Sequence, residues 1–229
     1  LLGSALALEQ GKWNSIIFLF AISSTLLFQI VSNLANDLGD GIKGTDNESR
    51  VGPDRAVQSG KITVGQMKKA VLLFALLSLC SSGFLIYYGT QNLPVEVIWF
   101  YAILAICCVL AAITYTVGKR AYGYHGFGDF FVFVFFGLVS VLGVYPFFTK
   151  EFTFDLILPG AVIGLLSVAV LNLNNMRDRT NDSNSNKNTL VVKLGASKAK
   201  VYHMSLILVA LILFSIHLAI QGNNYLYVS

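Results

Sequence analysis

The chain reads as long apolar runs separated by polar connections. The runs over residues 14–34, 70–88, 97–117, 127–148, 156–173 and 201–220 each come close to the roughly 20 apolar residues that carry a helix across a bilayer. A shorter apolar stretch, residues 1–8, precedes them and reads as a first span entered partway. A further span is expected to begin near residue 224, which would make the sequence a piece truncated at both ends. The pattern predicts an all-α fold, a polytopic transmembrane helical bundle of about seven helices. Without a Pro/Ser-rich linker, residues 1–229 are expected to form a single domain.

The connections alternate in character. Those expected at 36–69, 118–126 and 174–200 carry 6, 2 and 6 Lys and Arg residues, 14 of the 16 in the chain. Only Lys12 and Lys150 are left for the others. A cation excess on one set of connections assigns it to the cytoplasmic side, so the two most polar connections fall on one membrane face.

Composition agrees. Only 12% of the 229 residues are charged and 55% are hydrophobic, where a soluble domain has about 25% charged residues. Mean hydropathy is +0.67. An integral membrane protein follows. Cys80, Cys107 and Cys108 all fall in apolar runs without a C-x-x-C spacing. They are read as buried small apolar residues rather than metal ligands or a disulfide.

The chemistry sits in two stretches. Residues 33–46 read NLANDLGDGIKGTD, and Asn36 and Asp40 are four apart. On a continuing helix they lie about 40° apart around the axis. Asp37 and Asp46 add carboxylates nearby. Residues 171–182 read LNLNNMRDRTND, where Asn174, Asp178 and Asp182 fall at i, i+4 and i+8, again on one face. Asn36-x-x-x-Asp40 is echoed by Asn174-x-x-x-Asp178, each followed by a basic loop and a Gly-containing turn, at 60–63 and 193–196. The spacing between these marks is unequal, so an internal repeat is only suggested.

Mg²⁺ binds through one or two carboxylates together with phosphate oxygens. Asn36, Asp37, Asp40, Asn174, Asp178 and Asp182 are therefore the candidate metal ligands, with Asp40, Asp178 and Asp182 the candidate catalytic residues. The competing reading is that acids and amides merely end helices at the membrane surface. Two such faces on one side favour a shared metal–diphosphate cradle.

Lys43, Arg50, Arg55, Lys61, Lys119, Arg177, Arg179 and Lys187 lie close enough in sequence to neutralise a diphosphate. Topology alone would also place basic residues there. Residues 115–129, YTVGKRAYGYHGFGD, carry three Tyr, one His and four Gly, and add Tyr122, His125 and Asp129 to the candidates. The aromatic rings suit either a planar or cationic group or an interfacial belt. Asp129, opening a Phe-rich span, is costly unless used or paired. His203 and His217 are read as polar packing in or beside the last span. The substrate-binding candidates are Lys43, Arg55, Lys119, Tyr122, Asp129, Arg177 and Lys187.

At these residues the chain resembles the UbiA-type intramembrane aromatic prenyltransferases, over essentially its whole length. That family carries N-x-x-x-D-x-x-x-D-like motifs after its second and sixth helices. Asn36 and Asp40 match the first motif; Asn174, Asp178 and Asp182 match the second. Three stretches look specifically like the menaquinone-pathway branch: SNLANDLGDGIKGTD (32–46), YGYHGFGDFFVFVFFG (122–137) and NNMRDRTNDSNSNKNTLVVKLG (174–195). The resemblance implies a nine-helix fold of which the chain holds the end of the first helix through the seventh. It implies Mg²⁺ as cofactor, and a polyprenyl diphosphate and an aromatic acid as substrates. The partner is the lipid bilayer, with no nucleic acid and no protein partner implied.

The implied reaction joins a polyprenyl group to 1,4-dihydroxy-2-naphthoate with loss of CO₂ and diphosphate. The alternative acceptor is 4-hydroxybenzoate or a similar acid. The implied location is the cell inner (plasma) membrane, with the acidic motifs on the cytoplasmic face. Gly44 stands at the third acidic position of the first motif, so Asp37 or Asp46 is expected to serve, with Asp37 favoured. Asn188 stands where the family commonly has a basic residue. A CDP-alcohol phosphotransferase pattern begins at Asp37, Asp40 and Gly41, but its Ala-Arg is replaced by Gly44-Thr45. A transporter would place charges along a path through the span centres, which here are nearly free of them.

Overall fold

A computed structural model describes residues 1–47 and 51–226, without the side chains of 223–226. Arg50 and residues 227–229, the second half of the stretch read as a further span, lie outside the described residues. Seven helices follow one another, with no strand among the described residues: α1 (Leu2–Glu9), α2 (Ser15–Lys43), α3 (Val64–Gly89), α4 (Val95–Thr114), α5 (Gly128–Thr149), α6 (Ile157–Asn184) and α7 (Leu190–Leu226). The last six are long and apolar enough to cross a membrane. Their outward faces carry exposed large side chains such as Leu72, Phe100 and Val201, as a lipid-facing surface requires.

The helix ends are set by local chemistry. The Asn14 side chain accepts from the Ile16 and Ile17 amides to open α2, satisfying donors that have no helical partner. Gly44 closes α2 at φ 70°, the left-handed conformation in which a glycine suffers no Cβ clash. Thr63 and Gln66 form a capping box at the start of α3. Residues 60–63 are thus the entry to a helix, while Gly195 (φ 77°) breaks α7 near its start.

Helix α2 packs on α3, with α4 against both, and α6 packs on α7 and α5. At one end, Ile17, Leu85, Tyr101, Val141, Tyr145 and Phe148 form the largest buried cluster. There the Lys150 ammonium caps the Gly89 and Phe147 carbonyls and Tyr145 donates to Gln10. A buried Ser24–Ser81 hydrogen bond of 2.9 Å pins α2 to α3. Helix α5 is π-helical from Phe133 to Val139, and its Gly137 lies against Gly164: a Cβ there would meet the Gly164 Cα at 2.5 Å. Small residues let these two backbones approach closely.

The helices run straight through the polar stretches, as the shared faces of Asn36 and Asp40 and of Asn174, Asp178 and Asp182 require: α2 continues past its apolar run to Lys43, and α6 to Asn184. Asn, Asp and Arg on one helix face do not break a helix when a glycine or turn ends it later. The cysteines are not buried: Cys80 and Cys107 are exposed on the apolar surface and Cys108 is half-buried.

Candidate active site

Both acidic motifs occupy the last turns of their helices, and both helices end at the same cavity. Helix α2 supplies Asn36 and Asp40; α6 supplies Leu171, Asn174, Asn175, Arg177, Asp178, Asn181 and Asp182. The loop after α2 adds Thr45, Asp46, Pro53, Asp54 and Arg55; Tyr115 and Lys187 complete a lining around about 380 Å³. The carbonyl ends of two helix dipoles therefore reach the cavity, and each carries roughly half a negative charge. Five lining carboxylates (Asp40, Asp46, Asp54, Asp178, Asp182) face three lining cations (Arg55, Arg177, Lys187) among the described residues. Such a surplus of anionic oxygen favours a bound cation.

Asp40 is the best-held group. Its Oδ1 accepts from the Tyr124 hydroxyl at 2.7 Å and its Oδ2 from the Lys187 ammonium at 2.9 Å. Tyr124 shares its hydroxyl with Thr45 at 2.5 Å, lies under the Lys43 ammonium at 3.7 Å from ring centre, and accepts the Asn188 amide on its carbonyl. Burial first, then nearby Asp40, raises the Tyr124 phenol above its ordinary range, so it donates as a neutral hydroxyl. Burial, with Asp40, Asp129 and Asp182 adding to it, likewise keeps Tyr115 neutral. Asn181 donates to the Thr45 carbonyl at 2.6 Å and ties α6 to the loop after α2. Across the cavity, Arg177 grips Asp178 through two bonds of 2.9 and 2.7 Å.

Not every candidate from the sequence lies here. The Asp37 carboxylate accepts from the Ala56 and Val57 amides at 3.0 and 3.2 Å, holding the connecting loop, and does not line the cavity. The favoured substitute for the acid missing at Gly44 thus points elsewhere, because one residue turns the side chain about 100° away from Asn36. Asp46 lines the cavity instead, with Arg55 Nε 3.9 Å away. Lys43 donates to the Thr116 carbonyl, and Lys119, Lys61 and Arg179 are outside the lining. Tyr122 donates to the Ala111 carbonyl and stacks on Phe131 at 4.0 Å, a packing role. Asp129 accepts from Tyr202 at 3.0 Å, so its burial is offset by a partner rather than by substrate.

Thr45, Asn175 and Asn181 were not singled out from the sequence, and of the three Tyr in 115–129 only Tyr122 was chosen. The available signal was periodicity: Asn181 precedes Asp182 on α6. Tyr124 falls in the short 3₁₀ turn Tyr122–His125, where adjacent positions face different ways.

A metal fits this donor set. Asn36, Asp40, Asp46, Asn174, Asp178 and Asp182 offer hard oxygens to one cavity. Among the described residues no three His, Cys, Asp or Glu side chains stand close enough together to hold a metal ion by themselves. An ion here would draw the rest of its shell from amide oxygens, substrate phosphate and water, as Mg²⁺ commonly does.

Six helices of spanning length, with two amide-and-carboxylate faces meeting at one basic-edged cavity, define a polytopic membrane protein with an acidic cavity at one end of its bundle. The family is clear from comparison with known proteins: the chain belongs to the UbiA prenyltransferase family, whose pattern matches residues 1–229. It is similar to the 1,4-dihydroxy-2-naphthoate octaprenyltransferase of Haemophilus influenzae, 44% identical over 99% of this chain and 74% of the relative. The proteins of that name from Escherichia coli (43%, covering 95% of this chain and 72% of the relative) and Mycobacterium tuberculosis (38%, 91% and 68%) are also similar. No solved structure gives a significant match.

Proposed function

We propose that the chain transfers a polyprenyl group from its diphosphate to 1,4-dihydroxy-2-naphthoate, releasing diphosphate and CO₂ and giving demethylmenaquinol, a step of menaquinone biosynthesis. The observation that carries this reading is the meeting of Asn36 and Asp40 with Asn174, Asp178 and Asp182 around one cavity. Relatives of the same name over nearly the whole chain support the acceptor.

Bound Mg²⁺, held through Asn36, Asp40, Asp46, Asn174, Asp178 and Asp182, would supply positive charge to the leaving diphosphate. Lys187, Arg55 and Arg177 are the lining cations that add to it. Charge accumulates on the diphosphate as its C–O bond ionises, and fixed donors aimed at that charge lower the barrier. Arg177 must first exchange its Asp178 partner for phosphate oxygen.

Leu171 is the lining residue of α6 nearest the apolar half of the helix, and Tyr115 is the half-buried ring beside it in the lining. Both keep water from the allylic cation. The electron-rich naphthoate ring then attacks that carbon. The new C–C bond forms, and the carboxylate leaves as CO₂ with its bonding electron pair returned to the ring.

In a cell the cavity would face the cytoplasm of the inner membrane, as the basic connections suggest. The decisive assay supplies purified protein with Mg²⁺, a polyprenyl diphosphate and a panel of aromatic acids, and reads product mass. Prenylated, decarboxylated naphthol is expected. Product from 4-hydroxybenzoate alone would overturn the acceptor, and no product from any acid would overturn the reaction.

A further inference from the structure

The turn after α6 places one ammonium with unusual firmness. Asn186 adopts φ 54°, a conformation Asn tolerates better than most residues. The Lys187 amide then donates to the Asp182 carbonyl at 2.8 Å, folding the chain back over the end of α6. From there the Lys187 ammonium reaches Asp40 Oδ2 at 2.9 Å and Asp182 Oδ1 at 3.9 Å. The lysine side chain is 12% exposed and the two carboxylate side chains 8% and 5%. A single tethered cation therefore bridges the two acidic helices.

We propose that Lys187 is the internal counter-ion of the site: in the free protein its ammonium holds the place between Asp40 and Asp182 that a divalent cation needs, and gives it up when metal and diphosphate arrive together. This rests on the metal–diphosphate reading above. Asp40 has both oxygens engaged, one by Tyr124 and one by Lys187, so a metal must displace a partner to bind it. Tyr124 is fixed on several sides, whereas Lys187 has a flexible four-carbon stem and rotatable donors. The lysine is the partner that moves.

Metal alone must then expel a buried ammonium into an empty cavity. Metal with diphosphate expels it onto phosphate oxygen, so the two ligands favour each other's binding. A lysine that only gripped phosphate would act on metal alone through repulsion at a distance, a smaller effect than a 2.9 Å bond to a ligand oxygen that must break.

The test uses the full chain in lipid nanodiscs, with Mn²⁺ as a paramagnetic probe and no prenyl donor. Lys187→Met should bind Mn²⁺ roughly tenfold or more tighter than wild type, the equivalent of one charge-assisted bond no longer broken. Inorganic diphosphate should tighten Mn²⁺ binding in wild type and do so less in Lys187→Met. Unchanged or weaker binding of Mn²⁺ alone in the variant overturns the proposal.

A second measurement needs no variant. Acetylation of Lys187 in wild type, read by mass spectrometry, should rise several-fold once Mg²⁺ alone is raised high enough to saturate the site and expel the ammonium into the cavity. Equal or lower labelling overturns the proposal as well. Product formation by the same wild-type preparation separates the two levels: turnover with an unaltered metal affinity removes the counter-ion role only, while absence of turnover removes the reading beneath it and the counter-ion with it.

Discussion

Replacing Tyr124 by Phe removes one oxygen from the centre of the site and little else. The lost hydroxyl donates 2.7 Å to Asp40 and touches Thr45 at 2.5 Å. Tyr124 and Asp40 are 8% and 6% exposed, so water does not readily take its place. The ring under Lys43 remains, as does the carbonyl that accepts from Asn188. A hydrogen bond to a charged group contributes about 1.5–3 kcal/mol. The other Asp40 oxygen is still engaged, by Lys187 in the free protein and by metal in the loaded site, so the lower figure applies, and about 1.5 kcal/mol corresponds to roughly tenfold in rate.

Steady-state assays with a polyprenyl diphosphate should show kcat/KM about tenfold lower, roughly the loss of one hydrogen bond to a charged group, together with a lower thermal midpoint, because the same buried bond also holds the fold. Tyr122→Phe is the control, because its hydroxyl bonds the Ala111 carbonyl away from the cavity. It should cost about 1 kcal/mol of stability, as a neutral hydrogen bond does, and leave turnover within about twofold. Wild-type turnover in Tyr124→Phe, or a larger loss in Tyr122→Phe, would refute the reasoning.

Chelation by EDTA should abolish product formation and Mg²⁺ should restore it; turnover that persists in chelator removes the metal from the scheme. Asp40→Ala and Asp178→Ala should each lower kcat by at least about 10²–10³, the usual loss for one electrostatic stabiliser, and near-normal rates in both would end the shared-site reading. Asp37→Ala should destabilise the protein by about 2 kcal/mol by orphaning two backbone donors, seen as a lower thermal midpoint. Asp46→Ala should spare the midpoint and depress activity, and the reverse pattern would restore Asp37 as the missing acid.

The spans were legible because apolar runs of bilayer length leave few alternatives, and the cavity's two helical faces because i, i+4 and i+8 spacing is a property of the helix itself. Asn174, Asp178 and Asp182 needed nothing more. Gly44 was read as an acid lost from a repeating motif. In the fold it is where α2 stops, and a left-handed cap presents no side chain to the i+8 position. The chain turns there and brings Asp46 to the cavity. The engagement of Asp37 with residues 56 and 57 depends on how a connecting loop folds back, which no periodicity encodes. Tyr122 and Tyr124 are chemically alike in the sequence, and only the turn that carries them decides which one meets Asp40.

The π-helical segment Phe133–Val139 gives the length of α5 a meaning beyond span thickness. A π-turn behaves as one residue accommodated in excess of the α-helical count. Deleting one residue there would return the segment to α-helical turns and leave its two flanking halves in nearly their present phase, whereas the same deletion in an α-helical stretch rotates one half against the other by about 100°. Asp129, paired with Tyr202, lies on one side of the segment, and Tyr145, paired with Gln10, on the other. Both pairs can therefore survive the loss of one residue within 133–139. The extra residue is slack held between the two ends of the bundle, and a one-residue deletion there is a milder change than the same deletion in α2 or α6.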